Sequence, residues 1–351
     1  MGSKVTLQDV ARRAGVHRST VSLALRDHPR ISPEVRLRLR ALAARMGYRV
    51  NPLVAVLMRS RRTGRAVKHV TLAYVTNYPT RYGWRPPHHD RPDYFPGASA
   101  RAQELGYRLE HFWLAEPGMT PQRLGSILAA RNIPGLLLGR LPPGQNELRL
   151  PWEGFAAVAL GLTLFRPALH RVTEDHFAAA TLALDELQAR GYRRIGCVFS
   201  DVDDSPRVGE HWLGAYLCRQ ARSGTGAPPP FFFTPGPDPA QAFAAWFRKA
   251  RPDALLATHA APVARWLEQA GRRAPRDVGL VALVNDHPEQ GWSGVHCDPA
   301  RLGSLAVDML VGQLHRGESG LPPAPHEVLL RGIWCPGRTL AAAVPVKSVQ
   351  Q

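Results

Sequence analysis

Residues 5–26 read VTLQDVARRAGVHRSTVSLALR, and their spacing decides how the amino-terminal part of the chain folds. Thr6 is placed to cap a first helix, with Asp9 three residues on to answer it in a capping-box-like pair. Leu7, Val10, Ala11 and Ala14 recur at helical spacing and give that helix one apolar face. Gly15 breaks it and Val16 plugs the turn. A second short helix runs from about Arg18 to Leu25, with Val21, Ala24 and Leu25 inward. His17, Arg18, Ser19, Ser22 and Leu23 are left outside. Small polar and basic groups on an outward helical face suit base edges and phosphates. Alone, the pattern also fits a solvated amphipathic hairpin. The residues that follow decide against that.

A third helix is signposted by Ser32 as cap and by Pro33 at the first helical position, where its missing N–H costs nothing. Val35, Leu39, Leu42 and Met46 follow at helical spacing, and Gly47 ends the run. Three short helices with a shared apolar face make a head over residues 1–50. The chain carries a formal charge of +17 over 351 residues, and the charge is concentrated at this end. The first 68 residues hold 16 Lys and Arg against 3 Asp and Glu, leaving 29 against 25 in the rest. A basic head on a nearly balanced body points to a polyanion partner. Its charges are interleaved with helix patterning, which favours nucleic acid over an anionic membrane surface.

Residues 51–58, NPLVAVLM, are followed by the basic run RSRRTGR. The apolar stretch is too short to cross a membrane, and a free helix this short is marginal in water. Two copies side by side across a dyad, pressed into a widened minor groove, would bury it and drive an apolar wedge into a base step. The alternative is a linker, residues 51–67, that packs on its own body.

From residue 68 to about 343 short apolar runs alternate with helical stretches, ahead of a tail at 344–351. Strands are predicted at 70–75, 108–113, 135–138, 156–160, 195–199, 254–258 and 279–284. Helices are predicted at 96–105, 121–130, 175–190, 210–221, 239–249 and 262–270. Such alternation gives parallel sheets covered by helices. The expected fold is thus a small all-α helix-turn-helix head plus an α/β body. No signal peptide or spanning segment is read, and the location expected is the cytoplasm, on the nucleoid. Four scattered cysteines without a CxxC fit reduced thiols, with no disulfide scaffold or zinc site. No Gly-rich phosphate loop, GxSxG elbow, HExxH or paired-carboxylate motif occurs, so no catalytic residue is assigned and no cofactor or metal is expected.

Residues 5–65 resemble the LacI family of bacterial transcription repressors. The matching residues are T-L-x-D-V-A-x-x-A-G-V-x-x-x-T-V-S from Thr6 to Ser22, Gly47-Tyr48, and the segment from Asn51 to Leu57. The resemblance implies that Arg18 and Ser19 read bases. It implies that Thr20 and Ser22 touch backbone and bases, and that Leu57 intercalates at the operator centre. Thr6, Asn51 and Met58 complete the expected DNA-binding set with two departures, His17 and Leu23. His17 stands where the family usually has a Ser before the recognition helix, and Leu23 where it usually has an Arg. Losing that Arg implies an altered operator, with apolar contact to a thymine methyl and Arg18 taking over a guanine.

The body is similar to the type I periplasmic-binding-protein fold, two α/β lobes with a ligand cleft between them. Family-like phrases are Asp175 before its helix, Pro275-x-Asp277-Val278, and Leu302-Gly303 followed by Ala306. The resemblance implies lobe 1 at about 68–170 and 298–327, and lobe 2 at about 171–297 and 328–343. Ligands of open α/β sheets bind beyond the carboxyl ends of strands, which nominates Asn77, Asp175, Arg207, His211, Trp212, Asn285 and Asp286 for a small-molecule effector. Asp175 can instead simply cap its helix, and Arg207 and His211 can be a solvated face. His211 stands where sugar-binding members carry Arg, and Ala282-Leu283-Val284-Asn285 replaces Gly-Phe-Asp-Asp, so the effector is left unidentified. The loop at 78–95, rich in Pro, aromatic residues, Arg and His, is expected to lid the cleft, to dock on a partner subunit, or to lie on the surface. Its His88-His89-Asp90 triplet is weak as a metal site. The function expected is a sequence-specific regulator, a repressor, binding a palindromic double-stranded DNA operator as a homodimer under effector control. The alternatives are an enzyme with a DNA-binding head, and a body that only dimerises.

Overall fold

The computed structural model describes residues 5–25, 30–46, 48, 70–86, 93–200, 205–223, 228–233 and 239–341. Asn51, Leu57 and Met58, the helix stop Gly47, the His88-His89-Asp90 triplet and the tail lie outside them, as does the side chain of Arg207. The described residues fall into two compact units, one holding the first three helices and the other holding two sheets.

The first unit contains α1 (Leu7–Ala14), α2 (Arg18–Leu25) and α3 (Pro33–Arg45). The capping box forms: the Thr6 N–H and hydroxyl donate to Asp9 Oδ2 at 2.9 and 2.6 Å, and the Asp9 N–H donates to Thr6 Oγ1 at 3.3 Å. Gly15 ends α1 with φ +65, a left-handed conformation that favours glycine. That turn swings α2 across α1. Val10, Ala11, Val21, Ala24, Leu39 and Ala43 meet in one small core. Ser32 caps α3 by accepting the Val35 N–H at 3.4 Å.

In the second unit the first sheet contains β1 (Val70–Thr76), β2 (Tyr107–Trp113), β3 (Gly135–Leu138), β4 (Ala156–Leu160), β5 (His170–Glu174) and β11 (Glu327–Leu330). Their order is β11-β5-β4-β3-β1-β2, all parallel. The second contains β6 (Ile195–Ser200), β7 (Phe231–Phe233), β8 (Ala254–Ala257), β9 (Gly279–Ala282), β10 (Ser293–His296) and β12 (Ile333–Cys335). Their order is β12-β10-β9-β8-β6-β7, with only β12 antiparallel to its neighbour. Strands such as GLLL, AAVAL and ALLA are buried along their whole length, as parallel strands between helices must be. The helices are α4 (Phe95–Glu104), α5 (Pro121–Ala130), α6 (His176–Ala189), α7 (Ser205–Ser223), α8 (Ala240–Ala250), α9 (Ala260–Gln269) and α10 (Pro299–Arg316).

Five strands (β5, β7, β10, β11, β12) and α10 escape the sequence pattern. β5 reads HRVTE because Arg171 is buried in it, its guanidinium donating to the carbonyls of Gly161 and Leu164 at 2.8 and 2.9 Å. A guanidinium held by loop carbonyls and paired with Glu327 at 3.2 Å is invisible to hydropathy. Gly97 and Gly303 let α4 and α10 nearly touch: a Cβ at either would fall within about 2 Å of a carbonyl oxygen on the other side. β5 and β11 both belong to the first sheet. The chain therefore passes between the sheets after Glu174, between His296 and Pro299, and after Leu330. The first and last passages lie a few residues beyond those near 170 and 328 that the sequence suggests.

The described parts of the loop after β1, residues 77–86 and 93–94, fold back on their own lobe. Trp84 is buried, with ring centroids 5.1 Å from Tyr74, 5.8 Å from Phe95 and 5.2 Å from His111. The Trp113 indole donates to the Tyr78 carbonyl at 2.7 Å, and Arg85 pairs with Asp93 at 2.7 Å. Tyr94, at the end of the loop, is thereby held against the inner end of β5.

Candidate functional site

In the head, the side chains that open α2 lie outward. His17, Arg18 and Ser19 are exposed, Thr20, Ser22 and Leu23 are half-buried, and Val21 and Ala24 are in the core. His17 performs the cap that a serine would otherwise supply: its Nδ1 accepts the Ser19 N–H at 3.3 Å and lies 2.8 Å from Ser19 Oγ. With Nδ1 accepting, a neutral ring carries its proton on Nε2. The Ser19 hydroxyl is engaged within the helix start, so Arg18 is the long donor-bearing side chain at the opening of α2. The Thr6 hydroxyl likewise serves the α1 cap, and its donors hold the Asp9 carboxyl below the usual range.

In the second unit a cleft lies where the carboxyl ends of the strands converge. Arg140 follows β3, Glu174 ends β5, His259 follows β8, Asn285 and Asp286 follow β9, Cys297 follows β10, and Leu330 ends β11. The space is tight: about 40 Å3 is open to the centre of a water molecule, room for about three waters at 10–15 Å3 each. At its base the Tyr94 hydroxyl donates to Glu174 Oε1 at 2.6 Å, and His176 Nε2 lies 3.7 Å from Glu174 Oε2. Burial works to raise the Glu174 carboxyl, but its surroundings outweigh that and hold it below the usual range. His176, Arg140 and the Tyr94 hydroxyl carry that effect, while burial depresses His176 itself to about 4. Burial also opposes the Arg140 charge, and Glu174 and Asp286 restore it. The Cys297 thiol, pushed up to about 12 by burial and the nearby carboxylates, is inert.

The buried polar atoms in the cleft without a hydrogen-bond partner include Trp212 Nε1 and Asn285 Oδ1, on side chains 2% and 3% exposed. Trp212 is fixed by ring contacts to His176 at 5.3 Å and Phe199 at 6.3 Å. Asn285 is fixed by donation from Nδ2 to the Trp292 carbonyl at 3.2 Å. Among the described residues no cluster of His, Cys, Asp and Glu is arranged to hold a metal ion.

Comparison with known proteins gives two family matches. The family "Bacterial regulatory proteins, lacI family" matches residues 6–51, and "Periplasmic binding protein-like domain" matches residues 184–340. The HTH-type transcriptional regulator PtxS of Pseudomonas putida is 27% identical over 348 residues, covering 90% of this chain and 91% of its own. The HTH-type transcriptional regulator GntR of Escherichia coli is 25% identical over 331 residues, covering 90% and 93%. The chain thus joins a lacI-family regulatory domain to a periplasmic-binding-protein-like domain. Its fold is shared with solved structures over nearly their whole length. A CelR–cellobiose complex aligns with a TM-score of 0.57 at 21% identity over 95% of this chain and 99% of its own. A Lac repressor dimer bound to operator and the anti-inducer ONPF aligns at 0.56 and 18%, over 97% and 100%.

Of the seven effector candidates nominated for the periplasmic-binding-protein-like body, four line the cleft: Asp175, Trp212, Asn285 and Asp286. Asp175 does both things open to it, capping α6 through the Ala178 N–H at 2.9 Å and facing the cleft. Two others do not line it. Asn77 donates to Gln145 Oε1 at 2.8 Å in an exposed pair, and His211 is exposed on α7 beside His176. Arg207 belongs to α7, and its side chain lies outside the described residues. Sequence reasoning missed Arg140, Glu174, His176 and His259. Arg140 and His259 follow strands that the sequence does reveal, so the carboxyl-end rule, applied to every strand, would have found them. Glu174 ends a strand with no apolar signature.

Proposed function

We propose that this chain is a dimeric lacI-family repressor whose heads bind the two halves of a near-palindromic operator and whose cleft takes a small-molecule effector. The observation that carries the reading is a capped second helix presenting His17, Arg18 and Ser19 outward on a strongly basic head. Each head lays that helix in a major groove, with Arg18 the principal base reader and Thr20, Ser22 and Leu23 beside it. Residues 51–67 act as the hinge between a head at 1–50 and a body at 68–343. There Asn51, Leu57 and Met58 pair across the dyad and wedge the operator centre. The Lac repressor dimer bound to operator and the CelR–cellobiose complex, which share the fold, lend support. The unpartnered Trp212 and Asn285 atoms favour a cleft that binds over a body that only dimerises.

Effector binding biases the hinge, coupling the two sites by about 1–3 kcal/mol, or roughly 5–150-fold in operator affinity. The protein works in the cytoplasm on the nucleoid; no helix among the described residues is long and apolar enough to cross a membrane. Selection of the full-length protein on random duplexes is expected to return a two-fold symmetric site. Leu57→Ala is then expected to weaken that site far more than random DNA. An asymmetric consensus, or equal losses on both DNAs, overturns the dimer and the wedge respectively.

A further inference from the structure

The charges lining the cleft are unevenly balanced. Three carboxylates, Glu174, Asp175 and Asp286, face one guanidinium, Arg140. Glu174 is engaged by Tyr94 and lies in the field of Arg140. Asp175 accepts a backbone N–H at the positive end of α6, a 14-residue helix. Asp286 shares the field of Arg140, but no described residue donates a hydrogen bond to it. Burial, with Glu174 beside it, keeps its carboxyl above the usual range, and Arg140, His259 and His287 do not offset that. Next to it stands the unpartnered acceptor Asn285 Oδ1, and Trp212 Nε1 is an unpartnered donor in the same cleft. A buried polar atom left unmade costs about 1–3 kcal/mol, so Asn285 Oδ1 and Trp212 Nε1 favour a ligand that satisfies them, and the half-buried Asp286 favours one that brings a positive charge.

We propose that the cleft binds a small amine that also carries a hydroxyl, an amino alcohol or amino sugar, with its ammonium against Asp286 and Asn285 Oδ1 and its hydroxyl oxygen accepting from Trp212 Nε1. A carboxylate ligand would add a fourth negative charge to the cleft. A neutral polyol would satisfy Asn285 and Trp212 but leave the Asp286 charge unbalanced as water is excluded. One ammonium donates to both acceptors and balances that charge. Asn285 and Asp286 also line an adjoining hollow of about 330 Å3, which gives a larger amine room to extend. The assignment rests on the cleft being the effector site of the regulator.

The test uses the full-length protein and two sets of probes matched except at one group. One set is ethanolamine, ethylene glycol and glycolate; the other is glucosamine, glucose and glucuronate. In at least one set the amine is expected to raise the melting temperature and to bind about tenfold or more tightly than its alcohol and acid counterparts. Asp286→Asn is expected to erase that preference and Asp286→Glu to retain it, each checked for a cooperative melt. The assignment is overturned if no amine stabilises the wild type, or if an alcohol or acid binds equally well. It is also overturned if the preference survives in folded Asp286→Asn. Operator binding without any probe is measured alongside. Its absence would count against the regulator reading, whereas an operator-binding protein indifferent to amines loses only the ligand class.

Discussion

The head and the cleft solve opposite problems. At the head, the side chains offered to a partner stand in water on one short helix, and the fold beneath them is an ordinary apolar core. In the cleft, the side chains offered to a ligand are buried or half-buried and come largely from the ends of strands in both sheets, so they are also part of what holds the protein together. Function can therefore be changed at the head with little cost in stability. In the cleft, most substitutions that alter binding also alter folding.

The sharpest way to break this contrast is to remove a cleft charge. Glu174→Leu takes away the acceptor of the Tyr94 hydroxyl and one of the two carboxylates that hold Arg140 charged. A loss of about 3–5 kcal/mol is expected, read by denaturant unfolding; a change below about 1 kcal/mol would show that the cleft is not part of the stabilising core. Acid tests the same region. His176 has its pKa depressed from 6.5 to about 4, so between those values the unfolded chain binds a proton that the folded one refuses. Stability is therefore complete above pH 6.5 and declines as pH falls toward 4, by about 2–3 kcal/mol down to pH 4.5. His176→Asn is expected to flatten that decline, and an unchanged slope would place the titrating group elsewhere.

At the head the effects are smaller and fall on DNA. Arg18→Ala is expected to cost about 1–3 kcal/mol at one base position of each half-site, with the melting temperature unchanged. If binding profiles of mutant and wild type coincide, Arg18 contacts phosphate. If the melt shifts as far as for Glu174→Leu, the contrast between the two regions fails. The mildest change is His17→Ala, which removes the cap on the Ser19 N–H. It is expected to cost about 0.5–1 kcal/mol locally, seen as faster amide exchange at Ser19 and Thr20, with His17→Ser restoring protection.

Residues 5–25 determined the first two helices of the head, and Leu39 and Ala43 of α3 complete its core. Capping, helical spacing and the Gly15 turn act over three or four residues, and the structure reproduces each of them at the positions read. The alternation of apolar runs likewise determined a parallel α/β body, because strands buried on both faces must be apolar throughout. Only the tertiary structure decided the cleft. Arg140, Glu174, His259 and Cys297 are brought together by sheet order and by three passages of the chain between lobes, and no local periodicity records which strand ends will meet. It also decided that Arg171 could lie in a buried strand, since the carbonyls that accept from it come from a loop up to ten residues away. Finally, it decided that His17 caps α2 and engages Ser19. The sequence marked His17 only as a departure; the 2.8 Å contact gave it a role.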